Sequence, residues 1–303
     1  IPRYARNFAD VARGLRNVTL EQETEVEAGM SPCGLALSEP RTPTMLRHGE
    51  RRTAIDAFPV GTDPRLISQL LDTESSQALQ RSIREEFGDQ RLIVAVGRTD
   101  YTKGVRETLL SFERLLERRP ELHRKLKLIV VSVRAASGMR IYRDTQRDIE
   151  ALVGRINGRF SSLGWTPVLL FSNAVPFDRV VAYYHMADIC MTTPLRDGLN
   201  LVAKEFVAAK RGQPGVLVLS EFAGCAVELP QAVLTNPYSQ RAMDAALDQA
   251  LDMSADEARA RMATMLTNIS RYDVTHWVQH TFERFNDIMP GDFTNHFAPH
   301  AAT

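Results

Sequence analysis

Six short apolar runs, each leading through a turn into an amphipathic stretch, constrain this chain more than any other feature. They fall at residues 92–96, 127–132, 167–171, 189–192, 215–219 and 232–236 and are built mainly from Val, Leu and Ile. Strict apolar–polar alternation would mark a sheet with one wet face. Continuous runs instead mark strands covered on both faces. Helical spacing fills the intervals 105–118, 143–160, 177–186, 199–211 and 239–252. Strand–helix alternation of this kind predicts an α/β fold with a doubly wound, Rossmann-like parallel sheet. Ligands of such sheets bind outside the carboxyl ends of the strands, so the residues just after each run are the candidate site.

The flanks follow a different pattern. Tyr4, Phe8, Val11, Leu15 and Val18 recur at spacings of three and four, which predicts a helix over residues 1–27. Glycine, proline and charge crowd residues 28–53, a loop or hairpin, and 54–64 read as a short strand running into a linker. Two more helices are expected over 254–270 and 273–289, with Trp277, Phe282 and Phe285 as packing anchors, before an irregular tail from Pro290.

Lys plus Arg and Asp plus Glu both number 37, so no global field favours nucleic acid or an acidic membrane surface. No apolar run reaches the length of a membrane span. Cys33, Cys190 and Cys225 stand far apart with no zinc spacing, and a reduced, cytoplasmic setting is the simple expectation. The start, Ile1-Pro-Arg-Tyr, is neither a signal peptide nor an initiating methionine, and suggests a piece of a longer chain.

The strand-end loops carry the chemistry. Gly97-Arg-Thr-Asp-Tyr-Thr-Lys-Gly104 places Arg98 and Lys103 between a strand end and a helix start, which suits a diphosphate, although an Arg98–Asp100 surface pair would explain the same residues. It is neither a P-loop nor a dinucleotide fingerprint. Arg134 follows the second run and could hold a further anion or serve only structure. The third loop, Ser172-Asn-Ala-Val-Pro-Phe177, offers backbone groups to a flat base or is a plain connection. Pro194-Leu-Arg-Asp-Gly-Leu-Asn-Leu-Val-Ala-Lys-Glu-Phe206 turns through Asp197-Gly198 into a helix whose first amides favour an anion or polar ligand. A capped corner with a surface Glu205 fits it as well. Ser220-Glu-Phe-Ala-Gly-Cys-Ala226 is another small-residue turn. His276 and His280 lie one helical turn apart but lack a third ligand for a metal, and no carboxylate pair forms a hydrolytic set.

Taken together with Gly154-Arg-Ile-Asn-Gly-Arg-Phe160, Leu163-Gly-Trp-Thr-Pro167, Gly215-Val-Leu-Val-Leu-Ser-Glu-Phe-Ala-Gly224 and Asn236-Pro-Tyr238, these loops resemble the nucleotide-sugar half of the trehalose-6-phosphate synthase family. Those are retaining glycosyltransferases with two facing Rossmann-like domains, the GT-B fold. The resemblance implies that residues 1–58 are the end of an acceptor-side domain. Residues 59–272 would bind the donor, and 273–303 would cross back toward the first domain. It implies Arg98 and Lys103 on the donor diphosphate, with Asp197, Gly198, Leu199 and Asn200 around the transferred ring. Leu201 and Val202 would line the phosphate and ribose, Glu205 would hold the ribose, and Arg134 the acceptor phosphate.

A GDP- or UDP-linked donor and a phosphorylated sugar or cyclitol acceptor are the implied substrates. No cofactor or metal is implied, and a homodimer is compatible with the family. Most of the acceptor-side domain would lie before Ile1, so the chain as written is expected to bind donor better than it turns over. Thr99, where an aliphatic residue is usual before Asp-Tyr, is similar to the pseudo-glycosyltransferase branch, the validoxylamine A 7'-phosphate synthases. The resemblance so implies joining of GDP-valienol to validamine 7-phosphate, with trehalose-6-phosphate synthesis from a nucleoside-diphosphate glucose and glucose 6-phosphate as the alternative. A non-catalytic nucleotide-sugar-binding subunit is the alternative of another class.

Overall fold

The computed structural model describes residues 1–26, 39–134 and 139–288. Cys33, the rest of the 28–38 stretch, residues 135–138 of the loop after Arg134 and the tail from Pro290 lie outside the described residues.

All six predicted strands form. They are β4 (Arg91–Arg98), β5 (Leu126–Val133), β6 (Val168–Phe171), β7 (Ile189–Thr192), β8 (Val216–Ser220) and β9 (Val233–Thr235), after β1–β3 of a smaller sheet described below. They make one sheet in the order β6-β5-β4-β7-β8-β9, with every pairing parallel. The chain therefore winds outward from β4 on one side and from β7 on the other, and a crevice opens between their carboxyl ends.

The continuous runs arise because the two faces of each strand meet different helices. Leu92 and Val94 of β4 pack in one core with α2 (Pro64–Leu71), α3 (Glu74–Phe87), α6 (Phe177–Met186), α7 (Leu201–Ala209) and α9 (Ala255–Arg271). Ile93 and Ala95 point the other way, into a core with α4 (Val105–Arg118), α5 (Arg140–Phe160) and α8 (Gln240–Asp252). Each fully buried aliphatic or aromatic side chain in these layers, Phe112 and Phe206 among them, contributes about 1.5–3 kcal/mol.

The flanking stretches depart from expectation. The first helix, α1, spans Pro2–Arg16 and stops at Asn17, whose φ of 47° breaks it. The chain then forms β1 (Thr19–Glu25), which pairs antiparallel with β2 (Arg41–His48), and β2 pairs with β3 (Arg51–Ala54). Ala5 and Ala9 face this sheet, together with Leu46 and Ile55, while Phe8, Val11 and Leu15 are exposed. The large apolar stripe is therefore not the buried face. Helices α2 and α3 were not expected from periodicity, although Asp63 caps the first with two backbone N–H bonds and Pro64 opens it. The last helix, α10 (Val274–Ile288), leaves Phe282 and Phe285 exposed and anchors through Trp277 against Phe58 and through Arg284 on Asp56, 2.7 Å away. No helix among the described residues is long and apolar enough to cross a membrane.

Candidate functional site

The loop after β4 and the loop after β7 touch because of one glycine. After Arg98 the backbone turns through Tyr101–Lys103, capped by Asp100, whose Oδ1 accepts the Thr102 N–H at 2.8 Å and the Thr102 hydroxyl at 2.9 Å. Gly104 follows with φ +68°, and a Cβ there would lie 1.9 Å from the Thr193 carbonyl oxygen. Any side chain would push the loops apart. Across this contact Leu195 N–H donates to the Thr102 carbonyl at 2.7 Å, and the hydroxyls of Thr108 and Thr193 meet at 2.8 Å.

Asp197 then gathers the β7 loop. Its Oδ2 accepts from Lys103 Nζ at 2.8 Å and from Asn200 Nδ2 at 3.2 Å, and its Oδ1 from the Leu199 N–H at 3.3 Å. Asn200 adopts φ 78°, unusual for a residue with a side chain, and its Oδ1 caps α7 through the Ala203 N–H. The amides of Leu201 and Val202 open the helix ahead of that cap, where a helix has no carbonyl partners of its own.

The loop after β8 closes the third side. Gly224 and Cys225 N–H donate to the carbonyls of Asp197 and Leu199 at 2.9 and 2.7 Å. A Cβ on Gly224 would come within 2.1 Å of the Gly198 carbonyl oxygen. Tyr238 OH reaches the Leu195 carbonyl at 3.1 Å, and the Tyr4 ring of α1 stands 3.9 Å from where a Gly198 Cβ would be.

The resulting corner combines cations, carboxylates and free backbone donors. Arg98 is exposed and, among the described residues, makes no hydrogen bond or ion pair. Lys103 is half-neutralised by Asp197. Glu205 stands one turn into α7 beyond the exposed Leu201, and burial pushes its carboxyl above the ordinary range, against a hydrogen bond from the Tyr184 hydroxyl at 3.2 Å. Free helix amides and cations beside a partly buried carboxylate suit a ligand with both anionic and hydroxyl groups. Arg98, Lys103, Asp197, Gly198, Leu199, Asn200, Leu201, Val202 and Glu205 thus lie on adjoining loops and one helix start.

The other residues singled out in the sequence take these places. No Arg98–Asp100 pair forms, since Asp100 is spent on capping. Thr99 does not face the crevice. It is 1% exposed, and its hydroxyl sits 2.7 Å from Gln146 Oε1 and 2.9 Å from Ser132 Oγ, beneath the strand ends. Arg134 is exposed and turns to Glu150 on α5 at 3.3 Å, and no bond joins it to the Lys103–Asp197 cluster among the described residues. His280 meets Asp56 at 3.2 Å rather than sharing a ligand with His276, and no metal-ligating group of three gathers among the described residues. The loop after β6 frames a hollow of about 310 Å3 with Ser172, Asn173, Pro176, Arg179 and Tyr183. A larger cavity, about 710 Å3, lies between β1–β3 and α10, away from the strand ends that hold the cations and free amides.

Sequence reasoning missed the Lys103–Asp197 ion pair and the Tyr184–Glu205 bond. The only available signal for the latter was a tyrosine on the apolar side of the 177–186 helix.

The model of glycosyltransferase family 20 matches residues 1–287. Glucosylglycerol-phosphate synthase of Synechocystis is 52% identical over 293 residues, covering 96% of this chain and 59% of that protein. Trehalose-6-phosphate synthase of Escherichia coli O1:K1 / APEC is 37% identical over 78% of this chain and 50% of its own length. The crystal structure of an α,α-trehalose-phosphate synthase (UDP-forming) from Burkholderia xenovorans, in complex with glucose-6-phosphate, superposes with a TM-score of 0.81. It is 33% identical and is covered over 58% of its chain, against 92% of this one. This chain thus spans little more than half of the relatives it matches. Fold, loop geometry and sequence agree: the chain belongs to glycosyltransferase family 20.

Proposed function

We propose that this chain is the donor-binding part of a retaining glycosyltransferase that moves glucose from a nucleoside diphosphate to a glycerol phosphate. The observation that carries the proposal is the convergence of the β4, β7 and β8 loops around Lys103 and Asp197, with the unpaired Arg98 at the end of β4 and free amides at the start of α7. As the donor C–O bond breaks, negative charge grows on the leaving diphosphate. In this reading Arg98, Lys103 and the amides of Leu201 and Val202 would stabilise that charge. Asp197, Gly198, Leu199 and Asn200 would orient the glucose, and Glu205 the ribose. The acceptor hydroxyl would approach on the face from which the diphosphate leaves, form the new C–O bond there and pass its proton to the departing phosphate. No enzymic carboxylate nucleophile then takes part, and the two cations serve without a metal.

The choice of acceptor rests on the 52% identity to a glucosylglycerol-phosphate synthase. Trehalose-phosphate formation is the second reading, favoured by the Burkholderia structure that holds glucose-6-phosphate. The pseudo-glycosyltransferase branch rests on Thr99 alone, which is buried beneath the strand ends, and the relatives compared above are glucosylglycerol- and trehalose-phosphate synthases. Arg98, Lys103, Asp197 and Glu205 are all present, whereas a site that has lost turnover usually loses a charged residue, which favours an enzyme over a non-catalytic binding subunit. The test incubates the intact protein with ADP-, GDP- or UDP-glucose and either glycerol 3-phosphate or glucose 6-phosphate. The expected result is an α-linked glucosylglycerol phosphate, read by mass and anomeric NMR. Product with glucose 6-phosphate alone would favour trehalose phosphate, and no product with any pair would contradict an enzyme.

A further inference from the structure

Tyr184 is entirely buried on α6, yet it points its one polar atom at a residue of the site. Its ring packs edge-on against Phe206, 6.4 Å between centroids, and its hydroxyl reaches Glu205 Oε2 at 3.2 Å. A buried phenol needs a partner. Burial and the neighbouring carboxylate push its pKa well above the usual range, so it keeps its proton and must be the donor. That fixes the assignment of the Glu205 oxygens: Oε2 is taken, and Oε1 has no donor among the described residues. The carboxylate is deeply set at the first turns of α7, and the groups that face it are Tyr184 from α6 and the neutral thiol of Cys190 from β7.

We infer that Tyr184 is a positioning residue for Glu205, holding one carboxylate oxygen so that the other presents a fixed acceptor edge to the ribose hydroxyls of the donor. The inference rests on the proposed role of Glu205 as ribose clamp and goes beyond it by naming the group that aims the clamp. Two opposing demands meet at Glu205. Burial alone favours its neutral form, which would offer the ribose a donor where an acceptor is wanted, and the Tyr184 bond pulls toward the carboxylate. A phenylalanine would fill the same space and lose only that bond.

The experiment titrates the intact protein calorimetrically with the tightest binder among ADP, GDP and UDP, with its 2'-deoxy counterpart, and with pyrophosphate. The wild type is expected to prefer the ribonucleotide roughly tenfold or more, the scale of one hydrogen bond to a charged group. Tyr184→Phe should bring the two nucleotides to within about threefold of each other while leaving the deoxynucleotide and pyrophosphate affinities unchanged, as expected when one charged hydrogen bond is lost. Full discrimination retained in Tyr184→Phe would overturn the role of Tyr184 and leave the ribose clamp standing. Equal loss for all three ligands would reveal a folding role and also overturn it. A wild type that does not discriminate, with Glu205→Gln equally indifferent, would show instead that the ribose reading of Glu205 is wrong.

Discussion

Lys103 and Glu205 show how far single charged residues can be read before their neighbours are known. Both were legible as candidate site residues, because cations and carboxylates placed after apolar strands stand at the rim where ligands of such sheets bind. Their electrostatic state was not legible. Lys103 meets Asp197, a residue 94 positions away, and Glu205 meets Tyr184, hidden on the apolar side of a helix. Thr99 failed for a related reason: strand alternation lapses after Arg98, and only Gln146 on α5 reveals that its hydroxyl points inward.

Glu205 gives a prediction with a definite sign. Because burial raises its carboxyl above the ordinary range, the empty folded protein takes up a proton there before an unfolded chain would. The empty fold therefore gains stability as pH falls through that raised value. Donor affinity, which in this reading uses the carboxylate, falls as that proton is taken up, levelling off at the affinity of the neutral side chain. Titration of the donor nucleotide at successively lower pH should show this loss in the wild type and a weaker, less pH-dependent affinity in Glu205→Gln.

At the scale of elements, the parallel sheet was readable because each strand buries both faces, and 177–186 and 189–192 emerge with their expected bounds. Helix α1 misled because burial chose its small side: Ala9 lies against the sheet and Phe8 outside. Two glycines hold the site's loops together. Gly104→Ala must leave a φ that favours glycine and clear a carbonyl at 1.9 Å, and Gly224→Ala must clear one at 2.1 Å. Strain of this kind costs about 1–3 kcal/mol. Each variant is expected to remain folded, with melting lowered by several degrees and donor binding lost out of proportion. A Gly104→Ala protein that binds nucleotide normally would show that the β4 and β7 loops need not touch.

At the scale of the whole molecule, a buried ion pair ties the linker to the parallel-sheet domain. Lys204 and Glu228 are each 1% exposed with Nζ 2.7 Å from the carboxylate, and the same ammonium donates to the Val60 carbonyl at 2.9 Å. Lys204→Met should therefore destabilise the fold by about 3–5 kcal/mol, because it strands a buried carboxylate. Adding Glu228→Gln should recover much of that loss, as measured by denaturant unfolding. Nothing in the local sequence announces this pair. Lys204 reads as an ordinary polar position on α7, and its partner lies in a turn that only the fold brings near.

The central claim is that the corner between β4 and β7 is a diphosphate site in which Arg98 is the unpaired cation. Calorimetric titration of the intact protein with nucleoside diphosphate and monophosphate, in wild type and Arg98→Ala, tests it most directly. The wild type should bind the diphosphate tighter than the monophosphate, and Arg98→Ala should reduce that preference roughly 10–100-fold, the scale of a charge-assisted contact to phosphate. An Arg98→Ala protein that keeps the full preference would contradict the account.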